Sequence, residues 1–170
     1  VRHGADEIDG LVPVWERDGL SPSLIANLEL GKRASRLALL LEQALRPDLA
    51  ELGLTYAEFD VLATLRRVGE PYRLKPGDLA RALLLTTGGI SNMLQRLERA
   101  GHVERESDTG DKRSRWVRLT PEGLRVCEAA LETSGRVYED MLSGVPDETV
   151  RRAADALRDV LVTMGRRRLR

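Results

Sequence analysis

One cysteine, two histidines and six aromatic side chains (two Trp, three Tyr, one Phe) are all that 170 residues contain of these types. A lone Cys127 rules out an internal disulfide framework, and its apolar helical neighbours mark it as a buried thiol. His3 and His102 are too few and too far apart to build a metal site with it, so no metal or other cofactor is expected. The same scarcity leaves no Ser/His/Asp or Cys/His arrangement. With no phosphate loop or nucleotide fingerprint either, no catalytic residue stands out and an enzyme is not expected. Runs of apolar residues of membrane-spanning length are missing as well, which argues against a membrane partner. The opening VRHGADEIDG lacks the basic-then-apolar plan of a signal peptide, and a cytoplasmic protein is the expectation. Net charge is also absent: 27 basic residues balance 27 acidic ones. That balance weighs mildly against a polyanion as partner, unless charge is concentrated locally.

What is present is helical periodicity. Hydrophobic content of 42% supports a single packed domain with helical extensions. Leu11, Val12, Val14 and Trp15 predict a short helix or strap. Ser21-Pro22 is an N-cap followed by proline at the first helical position. From there an apolar stripe through Leu30, Ala34, Leu37, Leu41 and Leu45 predicts a long helix ending near Arg46-Pro47. Thr55-Tyr56-Ala57-Glu58 is a capping box, and Phe59, Leu62 and Leu65 are the buried set of the helix it opens, which also carries Asp60 and stops by Gly69. Residues 69–74, GEPYRL, read as a polar connector. Thr120-Pro121-Glu122 caps a later helix with Leu124, Cys127, Leu131, Val137 and Met141 at helical spacing. Gly144-Val145-Pro146 breaks it, and Asp147 opens a last helix with Val150, Ala154, Leu157, Leu161 and Met164 on one stripe. A basic run, simplest as a solvated helix end, closes the chain.

The informative stretch is 79–101, LARALLLTTGGISNMLQRLERAG. Its second half places Ile90, Met93, Leu94 and Leu97 on one inward stripe. Ser91, Asn92, Gln95, Arg96 and Arg99 lie opposite, able to hydrogen-bond base edges or phosphates. Thr86 or Thr87 would cap this helix, and Gly88 and Gly89 would let its start approach another surface closely. A preceding short helix with Leu79 and Leu83, and the Leu84-Leu85-Thr86 connector, complete a helix-turn-helix. Behind it, residues 103–106 and 115–119 alternate as a hairpin around a basic tip, with Trp116 as its best strand residue and Val117 and Leu119 on the face that packs back. Between Arg96 and Arg118 seven basic residues face five acidic ones, so affinity for DNA would rest on placement and on two copies acting together. A helix-turn-helix followed by such a ribbon is a winged helix. Its second helix suits the major groove, and the tip residues Lys112, Arg113 and Arg115 suit the adjacent backbone or minor groove. A winged helix used only for protein contact, without DNA, is the alternative.

These pieces resemble the MarR family of transcriptional regulators over residues 21–166: the head LLLTTGGISNMLQRLERAGHVER, the wing DTGDKRSRWVRLT, and Thr120-Pro121-Glu122-Gly123. The resemblance implies a mainly α fold with a small hairpin and a homodimer on double-stranded, palindromic operator DNA. It further implies repression relieved by a small molecule, base readers drawn from Ser91, Asn92, Gln95 and Arg96, and Arg113 in the minor groove. The chain then divides into an N-terminal extension (1–20), a helical dimerisation region (21–50 and 121–170) and a winged helix-turn-helix lobe (51–120).

More narrowly, Thr-Gly-Gly-Ile-Ser-Asn, Tyr-Ala-Glu-Phe-Asp and the N-terminal segment are similar to the urate-responsive branch with its extra N-terminal helix. That resemblance implies ligand-binding roles for Trp15, Asp60 and Arg105. Where the branch has an arginine after the Ser-Asn pair, this chain has Met93. An anionic ligand would lose a charge-assisted contact there, so a neutral or larger aromatic effector, with Met93 adapting to it, is expected in place of urate. Trp15 could equally be a packing anchor. Asp60 could face solvent, or hold an arginine such as Arg105.

Overall fold

The computed structural model describes residues 4–107 and 115–166. The chain forms two compact units, residues 1–134 and 135–170. In order the elements are α1 (Val12–Arg17), α2 (Pro22–Glu51), α3 (Tyr56–Arg67), β1 (Arg73–Leu74), α4 (Pro76–Ala82), α5 (Thr87–Arg99), β2 (Val103–Ser107), β3 (Arg115–Leu119), α6 (Pro121–Leu142) and α7 (Asp147–Arg166). It is a mostly helical fold with one small antiparallel sheet, as the periodicity requires.

Local chemistry accounts for most of the boundaries. Ser21 Oγ accepts the Leu24 amide at 3.3 Å ahead of Pro22. Thr55 and Glu58 close their reciprocal capping box. The helix α2 departs from expectation: it does not end at Arg46 but continues through Pro47 to Glu51. Pro47 removes one backbone donor, yet Leu45 and Leu49 on either side of it are fully buried, and that packing outweighs the lost hydrogen bond.

The larger unit packs its core between α2, α3, α4, α5, the sheet and the start of α6. Leu45, Leu49, Val61, Leu62, Leu65, Leu79, Ile90 and Val117 have no exposed surface. The sheet order is β1-β3-β2, with Val103 opposite Leu119 and Arg105 opposite Val117. The strand β1 corrects the polar-connector reading of residues 69–74, because Arg73 and Leu74 pair with Arg118 and Val117. Two residues carry no detectable alternation, and only a partner strand makes them a strand.

The helix α6 also packs differently from its apolar spacing. Its buried line is Gly123, Val126, Cys127, Ala130 and Ser134, while Leu124 and Leu131 are only half-buried. Close approach is the reason: a Cβ on Gly123 would lie 1.8 Å from the His102 carbonyl oxygen. Thr120 stitches the same junction. Its hydroxyl donates to Gly101 O at 2.6 Å and accepts the Gly123 amide at 2.9 Å. Cys127 is buried as expected, and burial pushes its thiol up to about 11. Within residues 135–170, the Val145-Pro146 break separates the end of α6 from α7. Among the described residues no helix is long and apolar enough to cross a membrane.

Candidate nucleic-acid interface

The helix α5 is amphipathic in the sense the sequence implies. Ile90, Leu94 and Leu97 are buried, and Met93 is half-exposed at the edge of that stripe. Gly88, Ser91, Asn92 and Gln95 are exposed, a continuous polar edge over the first two and a half turns. Thr86 is the cap: its Oγ accepts the Gly89 amide at 3.2 Å, and Thr87 is the first helical residue. The Thr87 side chain lies outside the described residues. The turn from α4 puts Leu84 at φ 54°, with 93% of its surface exposed. A left-handed leucine is strained, and an exposed one gains nothing from burial, so this corner is shaped by the turn rather than by the core.

Two ion pairs fix α5 to its surroundings. Arg96 Nε lies 3.0 Å from Glu58 Oε1, and Nη2 donates to Oε2 at 3.4 Å. The Glu58 side chain is only 4% exposed against 61% for Arg96. Farther along, Arg105 Nε donates to Glu98 Oε2 at 3.2 Å, tying β2 to the last turn of α5. Arg105 is therefore not on Asp60, and the pairing considered for those two is replaced by an α5–β2 link. Asp60 is half-buried on α3. Its carboxyl is held above the usual carboxylate range by burial, against a lowering influence from Arg67.

The outward face of the sheet carries a charge lattice. Arg118 reaches both Glu104 and Glu106, and Arg73 pairs with Glu106 at 3.3 Å. Arg73 and Lys75 sit over the Trp116 ring at 4.9 and 5.0 Å, close enough for cation–π attraction. This lattice stiffens the root of the wing. Lys112 and Arg113, at the expected tip, lie outside the described residues, as does the side chain of Arg115, whose backbone pairs with Ser107. Trp15 is half-exposed on α1.

Sequence reading took Glu58 only as a capping residue and so missed its tie to the exposed face of α5. A capping-box glutamate followed by an apolar helix is the local signal. Its pairing with a residue 38 positions away is visible only in the fold.

A capped amphipathic helix behind a tight turn, with an antiparallel ribbon following it, defines a winged helix-turn-helix protein. The family model described as MarR family matches residues 52–114. The HTH-type transcriptional regulator PecS of Dickeya dadantii (strain 3937) is 33% identical over 142 residues, covering 84% of this chain and 85% of its own. The multiple antibiotic resistance protein MarR of Salmonella typhimurium is 28% identical over 71% of this chain and 82% of its own. Among solved structures, a mutant MarR from E. coli complexed with operator DNA superposes with a TM-score of 0.71 at 27% identity, covering 83% of this chain and 99% of that one. The chain belongs to the MarR family of transcriptional regulators, whose members bind DNA and are not enzymes.

Proposed function

We propose that this regulator binds a palindromic operator as a homodimer, represses from it, and is released by a small aromatic effector. The observation that carries the DNA reading is the exposed polar edge of α5, opposite a fully buried stripe and capped at Thr86. Thr86, Thr87 and Gly88 bring the helix start against the duplex. Ser91, Asn92 and Gln95 read base edges, with Arg96 beside them. Lys112, Arg113 and Arg115 contact the neighbouring backbone and minor groove.

The dimer is supported by apolar surface that the isolated chain leaves uncovered. Leu24, Leu30, Leu37, Leu39 and Leu40 on α2, and Leu161, Val162 and Met164 on α7, are all exposed. Residues 21–50 and 121–170 form the dimerisation region, residues 51–120 the DNA-binding lobe, and residues 1–20 an extension.

The effector reading rests on the likeness to the urate-responsive branch and is supported by a half-buried acid, Asp60, on α3, whose carboxyl burial raises above its ordinary range. Trp15 would stack on such a ligand, Met93 would adapt to it, and Arg105 would pass its binding on to the wing.

Arg113→Ala is expected to weaken duplex binding and to flatten the slope of log affinity against log salt by about one. Equal binding and equal slope with and without this arginine would contradict the wing assignment. A thermal-shift screen of aromatic metabolites is expected to yield stabilisers that weaken operator binding and lose their effect in Asp60→Asn or Trp15→Ala. Hits indifferent to both substitutions would remove these residues from the ligand site.

A further inference from the structure

Among the described residues, the ion pair between α3 and α5 is built unlike the other ion pairs. Its carboxylate is buried, and Glu58 Oε2, which accepts from Arg96 Nη2, also accepts the Thr55 amide at 2.9 Å and the Thr55 hydroxyl at 2.7 Å, while Oε1 meets Arg96 Nε. Glu58 is thus pinned at the start of α3 by its own capping box before Arg96 reaches it. Arg96 stands one helical turn after Asn92, on the edge of α5 that carries the exposed polar side chains. An arginine so placed has two possible roles. It can leave Glu58 and contact DNA, or it can stay on Glu58 and hold the helix. Leaving would strip a buried carboxylate of its only cationic partner among the described residues, a costly change. Staying fixes the rotation of α5 about its own axis, because one guanidinium is held through two of its nitrogens.

We infer that Arg96 is a positioning residue for operator recognition, acting through Glu58: the pair sets the angle at which Ser91, Asn92 and Gln95 meet the base edges, and Arg96 itself neutralises no phosphate. The inference rests on the DNA-binding reading above and deepens it. It also makes Glu58, a buried residue of α3, a determinant of sequence preference.

The test uses the full chain and two duplexes of equal length, one selected from a random pool by the wild-type protein and one scrambled, each titrated over a range of salt. The variants are Glu58→Gln, Arg96→Ala, Arg96→Lys and the double Glu58→Gln/Arg96→Ala. Glutamine serves a capping box as well as glutamate does, so Glu58→Gln removes the charge and keeps the helix start. Glu58→Gln and Arg96→Ala are each expected to lose about tenfold in affinity for the selected duplex, with affinity for the scrambled one and both salt slopes unchanged. The double variant is expected to lose no more than the worse single one, and Arg96→Lys, which keeps charge but not the fork, to lose as Arg96→Ala does. A slope lower by about one in Arg96→Ala, with weaker binding to both duplexes and full selectivity retained in Glu58→Gln, would overturn the inference and make Arg96 a phosphate contact. A wild-type protein that enriches no duplex would instead overturn the DNA-binding reading, a result distinguishable before any variant is made.

Discussion

At the scale of single residues, Asp60 and Glu58 are two acids two positions apart on α3 with opposite circumstances. Glu58 is buried but surrounded by donors; Asp60 is half-buried and, among the described residues, has no hydrogen-bonded side chain beside it. Burial raises the Asp60 carboxyl above its ordinary value of 3.8. A group whose proton is held more tightly in the folded chain contributes stability below its unfolded value and loses it as pH climbs through the folded one. At neutral pH the charge therefore costs stability. Asp60→Asn is expected to raise the melting temperature at pH 7, with the gain shrinking toward pH 4. An unchanged or lower melting temperature at pH 7 would mean that the charge is compensated.

At the scale of elements, capping residues were the most legible part of the sequence. Ser21, Thr55 and Thr86 all accept the backbone amide expected of them, because such hydrogen bonds span only three residues. Features set by distant partners were not legible. The strand β1 exists because β3 lies beside it; α2 runs through Pro47 because Leu45 and Leu49 are buried; α6 turns Gly123 rather than Leu124 to the core because a backbone turn presses against it. The candidate site divides in the same way. The polar edge of α5 followed from periodicity, whereas the partners of Arg96 and Arg105 did not, since neither Glu58 nor Glu98 announces its arginine.

The N-terminal segment belongs to this scale too. Arg33 on α2 gathers Asp6 at 2.7 Å, Asp9 at 3.0 Å and Glu29 at 2.8 Å, and Arg36 reaches Glu7 at 2.9 Å. This clasp holds residues 6–9 on the long helix, with Ile8 buried beneath. The hydrogen bond from Arg33 depresses the Asp6 carboxyl below its ordinary range. Its contribution is therefore present above that range and lost as pH falls through the folded value. Arg33→Ala is expected to lower the amide protection factors of residues 6–17 at neutral pH while leaving α3 and α5 protected, and acidification of the wild type is expected to lower the same protection factors, each taken against the intrinsic exchange rate at its pH. Protection factors unchanged in both would show that Ile8 and α1 hold the segment without the clasp.

At the scale of the whole molecule, the proposed operator binding has to be achieved with a neutral net charge and a small lobe. One helix in one groove supplies few contacts. On the proposed reading, local placement would supply the rest: the ion-paired wing root, the polar edge of α5, and the exposed apolar residues of α2 and of α7, which a second copy would cover. Doubling the lobe doubles the phosphate contacts and adds a spacing requirement, which turns modest contacts into selectivity.

Selection of bound duplexes from a random pool, with the stoichiometry of the recovered complex measured, tests this account most directly. Two chains on a palindrome whose half-sites are centred about one helical turn apart is the predicted result. Recovery of no enriched sequence, or of one chain on an asymmetric site, would contradict it.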